Sequence, residues 1–547
     1  MLRNTLSIGA AALLVASASA QVANNTEGPD VAVSRIANNS SSISEYGSSG
    51  GIAAFSMAST SCNVGDEVVR WDDSANDAPV IGQNIYRVAP DGRFTQLGYS
   101  WLKDSFCAVS ETSCGTCVFG TGCNHLGIGC ADTYGSGLND GQNGVAKFEV
   151  NPTTGVWPAN WSATPSGNST TRGRLQCEAA LCADPASTYI AEIQYVSEHD
   201  HEYGLARNNS SWIEIQWSSA GNANSNVSTT GGINMFDPGI FGWQDTHNDV
   251  VISEVRIVAE GGTGPAGDTI DGIFFVGSKA TDIGGGAYRY DYVVHNFNSD
   301  RAVNSISIPT ICAPMNLQYT DVEHHSGSPW GNADWDSTTT GSDISWESQQ
   351  DFGQNQNANA IRWGTAYTFS FEANSAPALS LGSVDLGIFK PGTGSTLSAD
   401  AIVPGANCCS GGSVSNLCTG VPNMVNSLGF PGVQNMVGST NVIANDLQLD
   451  CAVIPANEFG FPVMSQSTTS IVLPTGGTLC VGPTFYRLTS LLSNSGPSGT
   501  FSFNVDNTTL PQLQNFAPGD TWYFQTWFRD GSSAANLTNS TSVTFCN

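Results

Sequence analysis

Five cysteines and a histidine fall within 24 residues of this chain, from Cys107 through the run CGTCVFGTGCNHLGIGC at 114–130. Whether such a cluster becomes a metal cage, a redox centre or a set of cross-links depends on the compartment. The first twenty residues, MLRNTLSIGAAALLVASASA, carry Arg3, then an apolar run of about eleven residues, then small residues ending Ala18-Ser19-Ala20. That is the pattern of a secretory signal peptide; a membrane anchor needs a longer uninterrupted apolar span. Export puts the cysteines in an oxidising exterior, where disulfides are their ordinary fate.

The disulfide candidates are Cys62, Cys107, Cys114, Cys117, Cys123, Cys130, Cys177, Cys182, Cys312, Cys408, Cys409, Cys418, Cys451, Cys480 and Cys546. Fifteen is odd, so at least one stays unpaired or pairs between chains. A zinc site drawn from Cys114, Cys117, Cys123 and His125 is the competing reading, because C-x-x-C is ligand spacing. The second half of the pattern repeats neither C-x-x-C nor H-x-x-x-H, which favours staples over zinc, and both over redox catalysis. Residues 102–145 are Gly-rich and weakly hydrophobic, and cannot bury enough apolar surface to offset their ordering entropy. Each cross-link there contributes about 2–4 kcal/mol. Adjacent Cys408 and Cys409, with Cα atoms about 3.8 Å apart, are expected to pair with different partners.

Sixty glycines, 12% charged residues and little helical periodicity predict an all-β protein, built of several antiparallel β-sandwiches with long disulfide-stapled loops. A chain of 547 residues is too long for one core. After the signal peptide at 1–20, residues 21–48 read as a polar, loosely docked N-terminal arm. Residues 49–395 read as a large β-rich region with sub-domains at about 49–230 and 231–395. A Cys/Gly/Ser-rich junction at 396–420 leads into a C-terminal β-sandwich at 421–547. In AYRYDYVVHN (287–296), Tyr288, Tyr290, Tyr292 and Val294 fall on one face of a strand and Arg289, Asp291, Val293 and His295 on the other. The turn Asn298-Ser299-Asp300 predicts a hairpin into SISIP.

Net charge is −29, from 47 acidic and 18 basic residues. Such a surface repels nucleic acid and anionic membranes, and no later segment is apolar enough to insert into a bilayer. Asn-x-Ser/Thr triplets at Asn160, Asn168, Asn209, Asn226, Asn507 and Asn536 mark expected surface loops.

Family likeness enters with STSCNVGDEV, PVIGQNIYRVAPDGRFTQLGYSWLK, LGIGCADTYGSGLN, YRYDYVVHNFNSDR, HHSGSPW and NAIRWGTAYTFSFE. With GGTLCVGPTFYRL and GDTWYFQTWFRDG, they resemble a group of secreted proteins of planctomycetes and related marine bacteria that share a C-terminal β-domain. The resemblance implies secretion and modular construction and carries over no catalytic residue.

H-E-x-x-H and Walker loops do not occur. Two weak metal constellations do. His199 and His201, alternating as on a strand, could grip a metal with His247 or His325; Glu323, His324 and His325 form the second. No organic cofactor is expected; calcium or zinc are the metals such residues could hold, though EF-hand spacing is missing. Trp330, Trp335 and Trp346, in a polar loop, are candidate glycan-stacking residues. The expectation is a secreted, non-catalytic surface or matrix protein acting in adhesion or glycan binding. The alternative is an extracellular metal-dependent hydrolase or carbohydrate-active enzyme using the C-terminal sandwich as an accessory module. Partner glycan and oligomeric state are not encoded.

Overall fold

Strand-forming segments rich in Val, Ile, Tyr and Phe dominate the computed structural model. It describes residues 27–546 apart from 38–42, 73, 121, 159–162, 265–266, 285–286, 311, 325–326, 406–412, 420–424, 443–444, 475–476 and 532–533. Every strand pair among the described residues is antiparallel, and the α-helices are two short ones, Glu198–Glu202 and Phe241–Thr246. The fold is all-β, multi-sheet and disulfide-linked, as the composition predicts.

The N-terminal unit is built on a sheet ordered Val227–Met235, Ser210–Trp217, Thr188–Val196, Val80–Val88, Phe94–Tyr99, with Lys103–Asp104 also pairing with Val80–Val88. Two three-stranded sheets accompany it. One orders Val31–Ile36, Ser59–Asn63, Ala131–Tyr134; the other orders Leu175–Glu178, Ile52–Met57, Ile43–Ser49. Their core includes Val33, Phe55, Trp71, Ile85, Ile193 and Tyr195. Part of the expected arm is therefore integral structure. Val31, Ala32 and Val33 are buried and pair with Ser61–Asn63, because the short VAV run supplies apolar surface that the flanking Asn and Ser residues disguise.

The second unit is a sandwich of two five-stranded sheets. One runs Val251–Gly264, Gly267–Gly284, Ala287–Asn296, Thr365–Ala373, Met315–Thr320; the other runs Asp336–Thr339, Asp343–Glu347, Val303–Pro309, Gly382–Ile388, Thr396–Ala401. Tyr290, Tyr292 and Val294 face Ile306, Trp346 and Leu386 in its core. Val293, on the other face, packs with Tyr86, Phe94, Trp212, Trp243 and Phe275 in a core shared with the N-terminal unit. The expected hairpin does not form. After Asn298–Asp300 the chain crosses to the opposite sheet, where Val303–Pro309 pairs with Asp343–Glu347 and Gly382–Ile388. Crossing puts Ile306 and Ile308 onto the aromatic core face, which a hairpin beside Ala287–Asn296 would not do.

The C-terminal unit pairs Ser413–Leu417 with Ala535–Thr544, followed by Thr521–Arg529, Phe459–Ser465 and Tyr486–Arg487. Its core gathers Leu449, Phe501, Phe503, Trp522 and Phe524. The junction is accordingly narrower than 396–420: Thr396–Ala401 closes the preceding sandwich, and Ser413–Leu417 already belongs to the next sheet.

The cysteine cluster is stapled. Cys62–Cys114, Cys107–Cys123 and Cys117–Cys130 are disulfides, with Cα separations of 5.9, 4.5 and 4.3 Å. Cys177–Cys182 and Cys418–Cys480 are two more, and Cys312 and Cys546 are also disulfide-bonded. Cys451 is a buried free thiol, while Cys408 and Cys409 lie outside the described residues. Because cross-links hold the 107–130 loop in place of a core, Val109, Val118 and Phe119 on it are exposed. With its cysteines bonded in pairs, the loop has no thiolate set left for zinc.

Candidate functional site

Among the described residues the histidine constellations do not converge. His199 and His201 sit on the helix Glu198–Glu202, not on a strand, so they point about 200° apart around its axis. His199 Nδ1 accepts the Arg70 backbone N–H at 3.2 Å, and burial followed by the Arg70 charge lowers its proton affinity. The His201 Nδ1 lies 2.6 Å from the Ser197 carbonyl. His247 belongs elsewhere, close to Gly92, and burial and Lys279 lower its affinity for a proton. His324 is buried, its Nδ1 3.2 Å from the Tyr99 hydroxyl and its Nε2 3.5 Å from that of Tyr367, while Glu323 is exposed. His325 lies outside the described residues. No three His, Cys, Asp or Glu side chains gather as a metal cluster among the described residues.

The tryptophans separate just as clearly. Trp335 and Trp346, 5% and 1% exposed, belong to the sandwich core against Phe369 and cannot meet a glycan. Trp346 falls on the inward face of the strand Asp343–Glu347, and Trp335 lies just before the strand Asp336–Thr339, its indole N–H donating to the Asn359 carbonyl at 2.9 Å. Trp330 is half-buried and lines a cleft of about 250 Å³. Among the triplet asparagines, Asn209 and Asn536 are buried, contrary to the surface expectation, whereas Asn168 and Asn226 are exposed.

Around Trp330 the cleft draws on both units. Lys147 and Phe148 come from a 3-10 turn of the N-terminal unit; Arg362, Gln356 and Lys390 come from loops of the second. Phe148 meets the Trp330 ring edge-on at 6.1 Å, His324 backs it at 5.0 Å, and the Arg362 guanidinium lies 5.2 Å from its centroid. Arg362 is 4% exposed. Its Nη2 donates to the Gln356 and Ala358 carbonyls, its Nε has no partner, and burial lowers its pKa to about 10.

Deeper in the wall, Lys147 is 1% exposed and its ammonium sits over the Tyr99 and Trp363 rings at 4.5 and 4.6 Å. Burial lowers its pKa to about 7, against a smaller opposing pull from Glu192. At the rim, Lys390 Nζ donates to Asp300 at 2.7 Å, and Gln356 and Asn357 are exposed. Asp300 is the one carboxylate among the described lining residues, so the cleft offers an aromatic face, amide groups and an ion pair. A pair of carboxyls flanking one bond, as glycoside hydrolysis needs, is not assembled there. Apart from Trp330, this lining escaped the sequence reading. A lysine inside the apolar run VAKFEV was its one local signal.

No known family model matches the chain, and no curated protein is detectably similar in sequence. Among solved structures, an inactive mutant of a GH20 exo-β-N-acetylglucosaminidase from Vibrio harveyi is 13% identical over 28% of this chain and 21% of that one, with a TM-score of 0.15. The C-terminal domain of the AgI/II polypeptide BspA from Streptococcus agalactiae is 11% identical over 53% of this chain and 99% of that one, with a TM-score of 0.12. No helix among the described residues is long and apolar enough to cross a membrane.

Proposed function

We propose that this is a secreted, non-catalytic surface or matrix protein that binds glycans, with the Trp330 cleft as the sugar subsite. The likeness to secreted planctomycete proteins belongs to the same reading, as does the oxidising environment that the disulfides require. One observation carries the assignment to the cleft: a half-buried tryptophan lines a depression of about 250 Å³ beside exposed amide side chains of Gln356 and Asn357. An indole face takes the C–H face of a pyranose, and amides exchange hydrogen bonds with its hydroxyls. The cleft is smaller than the roughly 300–1,000 Å³ of pockets for drug-sized ligands, so it grips one ring of a longer chain.

The test is a glycan-array screen of the secreted protein, followed by calorimetric titration of each hit against the wild type and Trp330→Ala. Loss of about tenfold or more in affinity, about 1.4 kcal/mol, supports the subsite. Unchanged affinity in Trp330→Ala removes the cleft from the proposal. Release of reducing sugar from the bound glycan would replace the binding reading with an enzymatic one.

A further inference from the structure

Cations are scarce in this chain and gathered in the cleft. Only four of its residues are lysines, Lys103, Lys147, Lys279 and Lys390, and two of the four line the Trp330 cleft together with Arg362. The chain as a whole carries a net charge of −29, so this lining is opposite in sign to the rest of the protein. Asp300, the one carboxylate among the described lining residues, is held by Lys390 at 2.7 Å. Among the described residues no ion pair reaches Lys147 or Arg362. The Arg362 side chain is almost closed to solvent, its Nη2 donates to two backbone carbonyls, and its buried Nε has no partner. Lys147 meets two aromatic rings and the Trp363 and Gly364 carbonyls; Glu192, the acid that acts on it, is itself bonded to Tyr86 and Ser210.

A buried cation without a counter-charge gives up hydration that no attraction returns, and an anion admitted beside it restores the balance. Given the sugar subsite proposed above, we propose that the cleft selects an acidic pyranose, one bearing a carboxylate or a sulfate ester, whose anionic oxygens meet Arg362 and Lys390 while its ring lies on Trp330. The guanidinium is 5.2 Å from the indole centroid, within the span of one sugar ring, so a pyranose held by the indole carries an exocyclic group to the arginine. Charge-assisted hydrogen bonds are about twice as strong as neutral ones, and a guanidinium fork matches the paired oxygens of such an anion. Aromatic walls at Phe148, Trp330 and Trp363 keep the local dielectric low, which strengthens the attraction. A neutral sugar leaves the Arg362 Nε uncompensated, and an amino sugar is repelled.

The experiment uses the full secreted protein and an array of uronate and sulfated oligosaccharides, each printed beside its methyl-esterified or desulfated counterpart, with calorimetric titration of the hits. Acidic members should bind about tenfold or more tightly than their neutral counterparts. Lys390→Gln and Arg362→Gln should narrow that gap. Asp300→Asn, which frees Lys390 and removes a negative charge, should widen it by about threefold, a gain that structural damage would not produce. If Arg362→Gln fails to fold, Lys390→Gln and Asp300→Asn, both at the rim, decide the matter. Binding in the uronate arm alone or in the sulfate arm alone supports the proposal and identifies the anionic group. Equal affinity for charged and neutral members, with binding still lost in Trp330→Ala, overturns the acid preference and leaves the sugar subsite standing. Acidic glycans that bind Trp330→Ala and Lys390→Gln as they bind the wild type, or an array without hits, overturn both.

Discussion

Replacing Lys147 with methionine isolates a single buried proton. The ammonium lies over Tyr99 and Trp363 and within reach of the Trp363 and Gly364 carbonyls at 3.5 and 3.3 Å, yet burial brings its pKa from 10.5 to about 7. At about 1.36 kcal/mol per pH unit, that corresponds to about 5 kcal/mol between charged and neutral forms in the buried site. In the unfolded chain the lysine keeps its proton up to about pH 10, whereas in the fold it releases it near pH 7. Between those limits unfolding takes up a proton, so raising the pH stabilises the fold; below them both states are protonated and the group is silent. From about pH 7 to about pH 9 the wild type should therefore gain about 2 kcal/mol relative to Lys147→Met. The offset between the proteins at low pH mixes relieved charge burial with lost cation–π contacts, so the slope is the diagnostic. Guanidinium unfolding with the disulfides intact, followed by tryptophan fluorescence, gives both curves. Parallel pH profiles for the two proteins across this range would refute the argument and mean that Lys147 stays charged in the fold.

Two further outcomes follow from burial. Trp346→Ala removes a 1% exposed ring from the second core and should cost about 3–5 kcal/mol in calorimetric unfolding; a change below about 1 kcal/mol would contradict its placement there. The Cys451 thiol, pushed up to about 12 by burial and bonded to Thr526, should resist iodoacetamide at about pH 8 until denaturant is added. Peptide mapping that finds Cys451 alkylated in the native protein would sink that reading.

Fold class was legible because it rests on local chemistry. Glycine-punctuated runs of β-branched and aromatic residues specify strands wherever they fall, and the alternation in 287–296 assigned both faces of that strand to the correct sides. What a strand pairs with is a non-local matter, which is why Asn298–Asp300 read as a hairpin turn while the chain in fact changes sheets. The staples were legible from the crowding of cysteines in a Gly-rich stretch, although their pairing was not. The site was mostly hidden. Histidines two residues apart converge only on a strand, and a five-residue helix sends His199 and His201 apart. Trp330 is separated from Trp335 and Trp346 by burial alone, which depends on partners such as Phe148 and Phe369 far away in sequence.

From Tyr290 to Asn296 the strand Ala287–Asn296 has no solvent face, since the N-terminal unit and the second sandwich each claim one side of it. It acts as a party wall between two rooms, and neither room can swing without tearing the other's lining. Inserting or deleting one residue there would exchange the Tyr290–Tyr292 face with the Asp291–His295 face and ruin two cores at once. Rigidity of this kind extends to the cleft, whose Lys147 and Phe148 are set on one side of the wall and whose Trp330 and Arg362 are set on the other. On the proposed glycan-binding reading, a sugar entering the cleft would meet a preformed wall and lose little affinity to rearrangement of the protein.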